Sequence, residues 1–135
     1  MPNYFRKPYG PGWALVGDAG YNKDPITAQG ISDAFRDAEA CAGALDDAFS
    51  GRRAFDDAMG EYQRGRDEHA LPIYEFTTQL ATLAPPPAEV AQLLHAVSGN
   101  ADAMDAFAGV VAGTVSPLEF FAPEHIERVM RLAAA

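Results

Sequence analysis

Cysteine occurs once in the 135 residues, at Cys41, so no internal disulfide can staple the chain. A lone thiol agrees with a reducing compartment. Its neighbours are small apolar residues at helical spacing, which predicts a packed side chain rather than a reactive one. Lysine is nearly as scarce: two Lys and eight Arg face 19 acidic residues, for a formal charge of −9. The basic stripe that a nucleic-acid partner requires is missing. The acidity is spread evenly, four basic against seven acidic residues in 1–50, the same in 51–100, and two against five in 101–135. Each block nets −3, and no segment stands out as an electrostatic partner site. Long apolar runs are absent too, and none approaches the roughly 20 residues of a membrane-spanning helix. Met1–Lys7 lacks the basic-then-apolar order of a secretory signal. The expectation is a soluble, cytoplasmic protein with neither nucleic acid nor membrane as partner.

Metal and nucleophile signatures are equally thin. His69, His95 and His125 are far apart on separate predicted helices, without the close spacing of a zinc site, so no metal is expected. There is no Gly-x-Ser-x-Gly elbow and no phosphate-binding P-loop. Gly10-Pro11-Gly12 followed by Gly17 imitates a dinucleotide loop, but its spacing is wrong and it precedes a strand instead of following one. What the chain does have is a core: 48% of its residues are hydrophobic, with eight Phe and five Tyr. That is too apolar for a solvated chain.

Organisation changes sharply along the sequence. The first thirty residues hold five of the 12 Gly, a turn cluster at Pro8–Gly12 and one strand, Trp13–Gly17. A single strand needs a partner, either a hairpin using Tyr4-Phe5-Arg6 or a sheet built elsewhere. From Ala28 the pattern turns helical, with Ile31, Ala34, Phe35, Ala38, Cys41, Ala42, Leu45, Ala48 and Phe49 as the apolar stripe and Thr27 as N-cap. Ser50-Gly51 stops this helix, and a second one restarts near Arg52. Pro72 should kink or break it, and Pro85-Pro86-Pro87 ends it. Helices are then expected over 88–97 and 101–112, a loop over 116–123, and a last helix from Pro123 through Leu132. The fold class is mainly α: one short N-terminal strand or hairpin, then about five helices. Two regions are expected within a single compact unit, a strand-loop-helix over 1–50 and a helical region over 51–135.

The stretch from Gly17 to Gly30 carries the chemistry. A carboxylate, Asp18, ends a strand and is followed by two small residues, Ala19-Gly20, that let a ligand approach the backbone. Carboxylates accept hydrogen bonds from hydroxyls of the ribose type. Thr27-Ala28-Gln29-Gly30 then opens a helix whose first N–H groups and dipole face the same crevice. A polyhydroxyl chain at Asp18 and an electron-rich carbonyl edge at the helix start would suit a flavin. A plain strand-turn-helix, with Asp18 serving only the turn, stays open on this reading.

Gly17-Asp18-Ala19-Gly20-Tyr21-Asn22-Lys23-Asp24-Pro25-Ile26-Thr27-Ala28-Gln29-Gly30 resembles the second FAD motif of flavoprotein aromatic hydroxylases and related FAD-dependent monooxygenases. The helix with Asp33-Ala34-Phe35-Arg36-Asp37-Ala38 is similar to the one after that motif, so the resemblance covers about residues 12–45. Leu71–Thr77 and the helical tail look like the C-terminal part of bacterial FAD-dependent oxidoreductases, less specifically. Tyr21 stands where the family has His, and Thr27 where Gly is common. The resemblance implies a cofactor-binding set of Gly17, Asp18, Ala19, Pro25, Gln29, Gly30 and Ile31. Asp18 would take the ribityl hydroxyls, Pro25 would lie beside the isoalloxazine, and the Gly30 and Ile31 N–H groups would approach the pyrimidine carbonyl. No catalytic residue is implied.

The same resemblance implies FAD as cofactor, NAD(P)H as reductant, O₂ as co-substrate and a small organic, often aromatic, substrate. It also implies a larger α/β FAD-binding fold whose N-terminal dinucleotide-binding half is not in this chain. That half would have to come from a further polypeptide. The competing expectation is a helical interaction module, derived from such a flavoprotein, with no flavin function. The long amphipathic run from Ile31 to Leu83 motivates it.

Overall fold

The computed structural model describes residues 2–133 and is mainly helical, with short strands confined to the N-terminal region. Four two-residue strands come first: β1 (Tyr4–Phe5), β2 (Tyr9–Gly10), β3 (Trp13–Ala14) and β4 (Tyr21–Asn22). β2 and β3 form an antiparallel hairpin, Tyr9 opposite Ala14 and Gly10 opposite Trp13. β1 pairs antiparallel with β4, Tyr4 opposite Asn22 and Phe5 opposite Tyr21, so the second ladder brackets the first in sequence. The strand expected over Trp13–Gly17 is therefore shorter and finds its partner locally. Val16 is the last extended residue before Gly17–Ala19 turn into a 3-10 turn.

Six helices follow: α1 (Gly30–Phe49), α2 (Phe55–Leu80), α3 (Ala88–Ser98), α4 (Ala101–Ala112), α5 (Pro117–Phe120) and α6 (Pro123–Ala133). α5 is a single turn inside the segment expected as a loop. Ser116 Oγ accepts the Leu118 N–H at 3.3 Å, and Pro117 occupies the first helical position, where its missing N–H costs nothing. α1 starts two residues later than the periodicity suggests, because Pro25–Thr27 form a 3-10 turn and Ala28 takes a left-handed conformation at φ 54°. Thr27 is accordingly no N-cap; Gln29 holds that place. α2 runs through Pro72 without interruption. Proline removes only the N–H that would serve the carbonyl of Glu68, and Glu68 lies on the exposed face.

The chain divides into two compact units between Ala81 and Thr82, not at the 50/51 boundary expected within one unit. α1 and α2 pack against each other, and that pairing carries the first unit across residue 50. Its core is Cys41, Met59 and Tyr62, flanked by Tyr9, Ala14, Ala44, Leu45 and Phe55. Phe5 adds a second layer, stacked on Tyr21 at 5.2 Å and edge-on to Tyr74 at 5.3 Å. In the second unit, α3 packs on α4 and α6, and Phe120 is its aromatic centre, within 5.4 Å of Phe107 and 4.9 Å of His125. Residues 134 and 135 of the expected C-terminal region, and residue 1 of the N-terminal one, lie outside the described residues.

Candidate functional site

The N-terminal unit contains an open cleft of about 910 Å³ lined by the turn at Gly17–Ala19, the Lys23–Pro25 segment and the start of α1. Gly17, Asp18, Ala19, Pro25, Gln29, Gly30 and Ile31 all line it, so the seven residues singled out in the sequence share one wall system.

Gly17 is required by its geometry. Its φ is +53°, and a Cβ there would sit 2.8 Å from Ala34 Cβ on α1. The left-handed turn lets the chain seat directly on the helix, and only glycine fits both conditions. Asp18 follows, exposed, in the middle of the turn. A Cβ built on Gly30 would lie 3.8 Å from Asp18 Oδ1, which puts the carboxylate against the first residue of α1. There the Gln29 side chain makes no cap, and Asp33 N–H to Gln29 C=O at 3.0 Å is the first bond across the helix start. The amides of Gly30, Ile31 and Ser32 precede it, and as the first N–H groups of α1 they have no acceptor within the helix. An acceptor group and a set of donors thus meet within one cleft. Such a pair can hold a ligand that offers hydroxyls at one point and an electron-rich carbonyl at the next.

Beneath this wall lies a buried polar layer that periodicity does not reveal. The expected apolar stripe of α1 begins with Ile31 and Phe35, yet these are 76% and 74% exposed, and Phe49 is 80% exposed. The inward positions of the first turns are Asp33 and Asp37, outside that stripe, followed by Cys41 within it, and the two carboxylates are only 2% and 3% exposed. Asp33 forms an ion pair with Lys23 Nζ, itself buried, and accepts from Arg36 Nη1 at 3.1 Å. Asp37 Oδ2 accepts the Gly17 N–H at 3.0 Å. Burial pushes the Asp37 carboxyl above its ordinary range, against the pull of the Gly17 N–H and the Arg66 guanidinium. Tyr21, in the cleft wall, is likewise held above its ordinary range by burial and by the Asp33 and Asp37 charges.

Arg66 of α2 is buried among these groups, 4.7 Å above the Phe5 ring, and donates to the Arg6 carbonyl at 2.9 Å and to Asp67. The lining segment is fixed at its far end by Thr27, whose hydroxyl meets that of Thr77 on α2 at 2.8 Å. Lys23, Asp33, Asp37 and Arg66 are not in the cofactor-binding set expected from the sequence. The one signal that could have found the two acids is their i, i+4 spacing with Cys41 at i+8, which puts all three on one helical face.

Comparison with protein-family models, with curated proteins and with solved structures returns no match for this chain.

Proposed function

We propose that the cleft is the ribityl and pyrimidine part of a flavin site, belonging to an FAD-dependent monooxygenase or oxidoreductase acting on a small organic, often aromatic, substrate. The observation that carries this reading is the Asp18 carboxylate lying against Gly30 at the uncapped start of α1, inside a cleft walled by small residues. The donor and acceptor set suits this part of FAD. Asp18 would accept from ribityl hydroxyls, the Gly30 and Ile31 amides would donate to the pyrimidine carbonyl, and Pro25 would flank the ring. When bound, FAD would supply the redox chemistry, with NAD(P)H as reductant and O₂ as oxidant. The chain's own residues bind and orient it, and α1 offers its positive end where negative charge gathers on reduction.

The sequence holds no Gly-x-Gly-x-x-Gly loop for a pyrophosphate, so the ADP portion would rest on a further polypeptide segment. On this reading the chain binds FAD weakly unaided and does not turn over. Titration of the purified protein with FAD, followed by flavin fluorescence, tests it. Asp18→Ala should weaken binding by about 1.5–3 kcal/mol, the loss of a charged hydrogen bond. Tight stoichiometric FAD with turnover would overturn the expectation of weak binding, and identical behaviour of Asp18→Ala would remove the flavin site.

A second reading, a helical interaction module without flavin function, draws on the exposed Ile31, Phe35 and Phe49 of α1. Light scattering with and without FAD separates the two. Oligomers that ignore both FAD and Asp18→Ala favour the module.

A further inference from the structure

We propose that Asp37 is the positioning residue for Asp18: by accepting the Gly17 N–H it ties the turn that carries Asp18 to the helix whose start forms the facing wall. This rests on the flavin reading and adds to it a residue that touches no ligand.

Four side chains hold the backbone around the turn. Tyr62 Oη donates to the Leu15 carbonyl at 2.7 Å, Tyr4 Oη to the Asp18 carbonyl at 2.6 Å, and Arg6 Nη1 to the Ala19 carbonyl at 3.3 Å. The Tyr4 and Arg6 bonds are exposed, so water can replace either donor. Asp37 differs in kind. It is the one of the four that accepts an amide, it does so in a buried setting, and it comes from α1 itself. A buried N–H without an acceptor is costly. Gly17 also rests on Ala34, three residues before Asp37, so the turn is clamped to two successive levels of the same helix. Asp18 and Gly30 therefore keep their spacing because both are referred to α1.

Asp37 is also an expensive choice for packing alone. A carboxylate in this place is desolvated, which raises its proton affinity, whereas an apolar side chain would fill the same space without that cost. Its place on the inward face makes sense as a grip on Gly17.

The test uses the full chain as wild type, Asp18→Ala, Asp37→Ala, Asp37→Asn and the double Asp18→Ala/Asp37→Ala, with two measurements: FAD affinity by flavin fluorescence, and hydrogen exchange of the Gly17 amide. Asp37→Ala should weaken FAD binding about tenfold and speed Gly17 exchange by a similar factor, as loss of one buried acceptor implies. Asp37→Asn keeps an oxygen for the amide and should restore most of both. In the Asp18→Ala background, Asp37→Ala should cost nothing further, because it acts through Asp18.

If Asp37→Ala binds FAD as the wild type does while Asp18→Ala has lost it, the inference fails and the flavin reading stands. Unchanged Gly17 exchange overturns it equally. A wild type that binds no FAD ends the flavin reading, and Asp37's part in it. Should Asp37→Ala lose its circular dichroism, Asp37→Ser, whose hydroxyl is too short to span to Gly17, takes its place with the same expected outcomes.

Discussion

Buried carboxylates govern the first unit, and each is tolerated for a different reason. Asp33 is neutralised by Lys23 and Arg36, whereas Asp37 has a backbone amide and a nearby guanidinium in place of a direct ion pair. That difference sets a measurable sign. Burial raises the Asp37 carboxyl above its ordinary 3.8, so between that value and its raised folded one the native state holds more protons than the unfolded chain. Stability contributed at this position must then fall as pH rises through the window. The groups near enough to Asp37 to interact with it electrostatically are Asp33, Arg36 and Cys41 on α1, Tyr62, Arg66 and His69 on α2, and Tyr21 on β4. All of them remain in Asp37→Asn. The stability of wild type minus that of Asp37→Asn, from denaturant melts at stepped pH, should therefore decrease upward from about pH 3.8 and then level off. An increase over the same range would mean that the amide and Arg66 outweigh desolvation.

Among the elements, the Pro25–Thr27 turn and α2 are joined by a pair of hydroxyls that local sequence gives no reason to connect. Thr77 Oγ1 donates to the Ile73 carbonyl at 2.6 Å, so Thr27 is left to donate to Thr77 at 2.8 Å, and both residues are buried. Removing either hydroxyl strands or weakens the other. Thr27→Val and Thr77→Val should each cost about 1–2 kcal/mol, and the double variant about 0.5–1 kcal/mol less than their sum. Trp13, the sole tryptophan and a member of the first unit, reports the melts. Additive losses would mean that the hydroxyls are not coupled.

Helix spans were largely legible from periodicity and punctuation. The stop at Ser50-Gly51, the triple proline before α3 and the Gly99-Asn100 break before α4 all stand where local chemistry puts them. The start of α1 was not legible, since Ala28 adopts a left-handed backbone that alanine rarely takes and that the surrounding turn imposes. Nor was its inward face, because periodicity ranks side chains by apolarity and reads Ile31 and Phe35 as core. Partners from other elements allow Asp33 and Asp37 to occupy that face instead.

For the molecule as a whole, the division between Ala81 and Thr82 falls at the start of an exposed connection. Residues 82–87 are exposed and outside any helix, and Leu83 shows 79% of its surface. Brief thermolysin treatment should cut first beside Leu83, with mass spectrometry finding fragments that end there before any cleavage inside α1 or α2. Early cuts within those helices would contradict the compactness of the first unit.

Chain composition and local pattern were enough to settle the mainly helical class, because turn residues and repeat periods act over a few positions. Which acids are buried, which glycine must be left-handed, and how Asp18 meets the start of α1 were decided only in the fold. Those outcomes depend on groups that lie far apart in sequence, Asp37 with Gly17, Thr77 with Thr27 and Tyr62 with Leu15, and no local propensity encodes the distance between them.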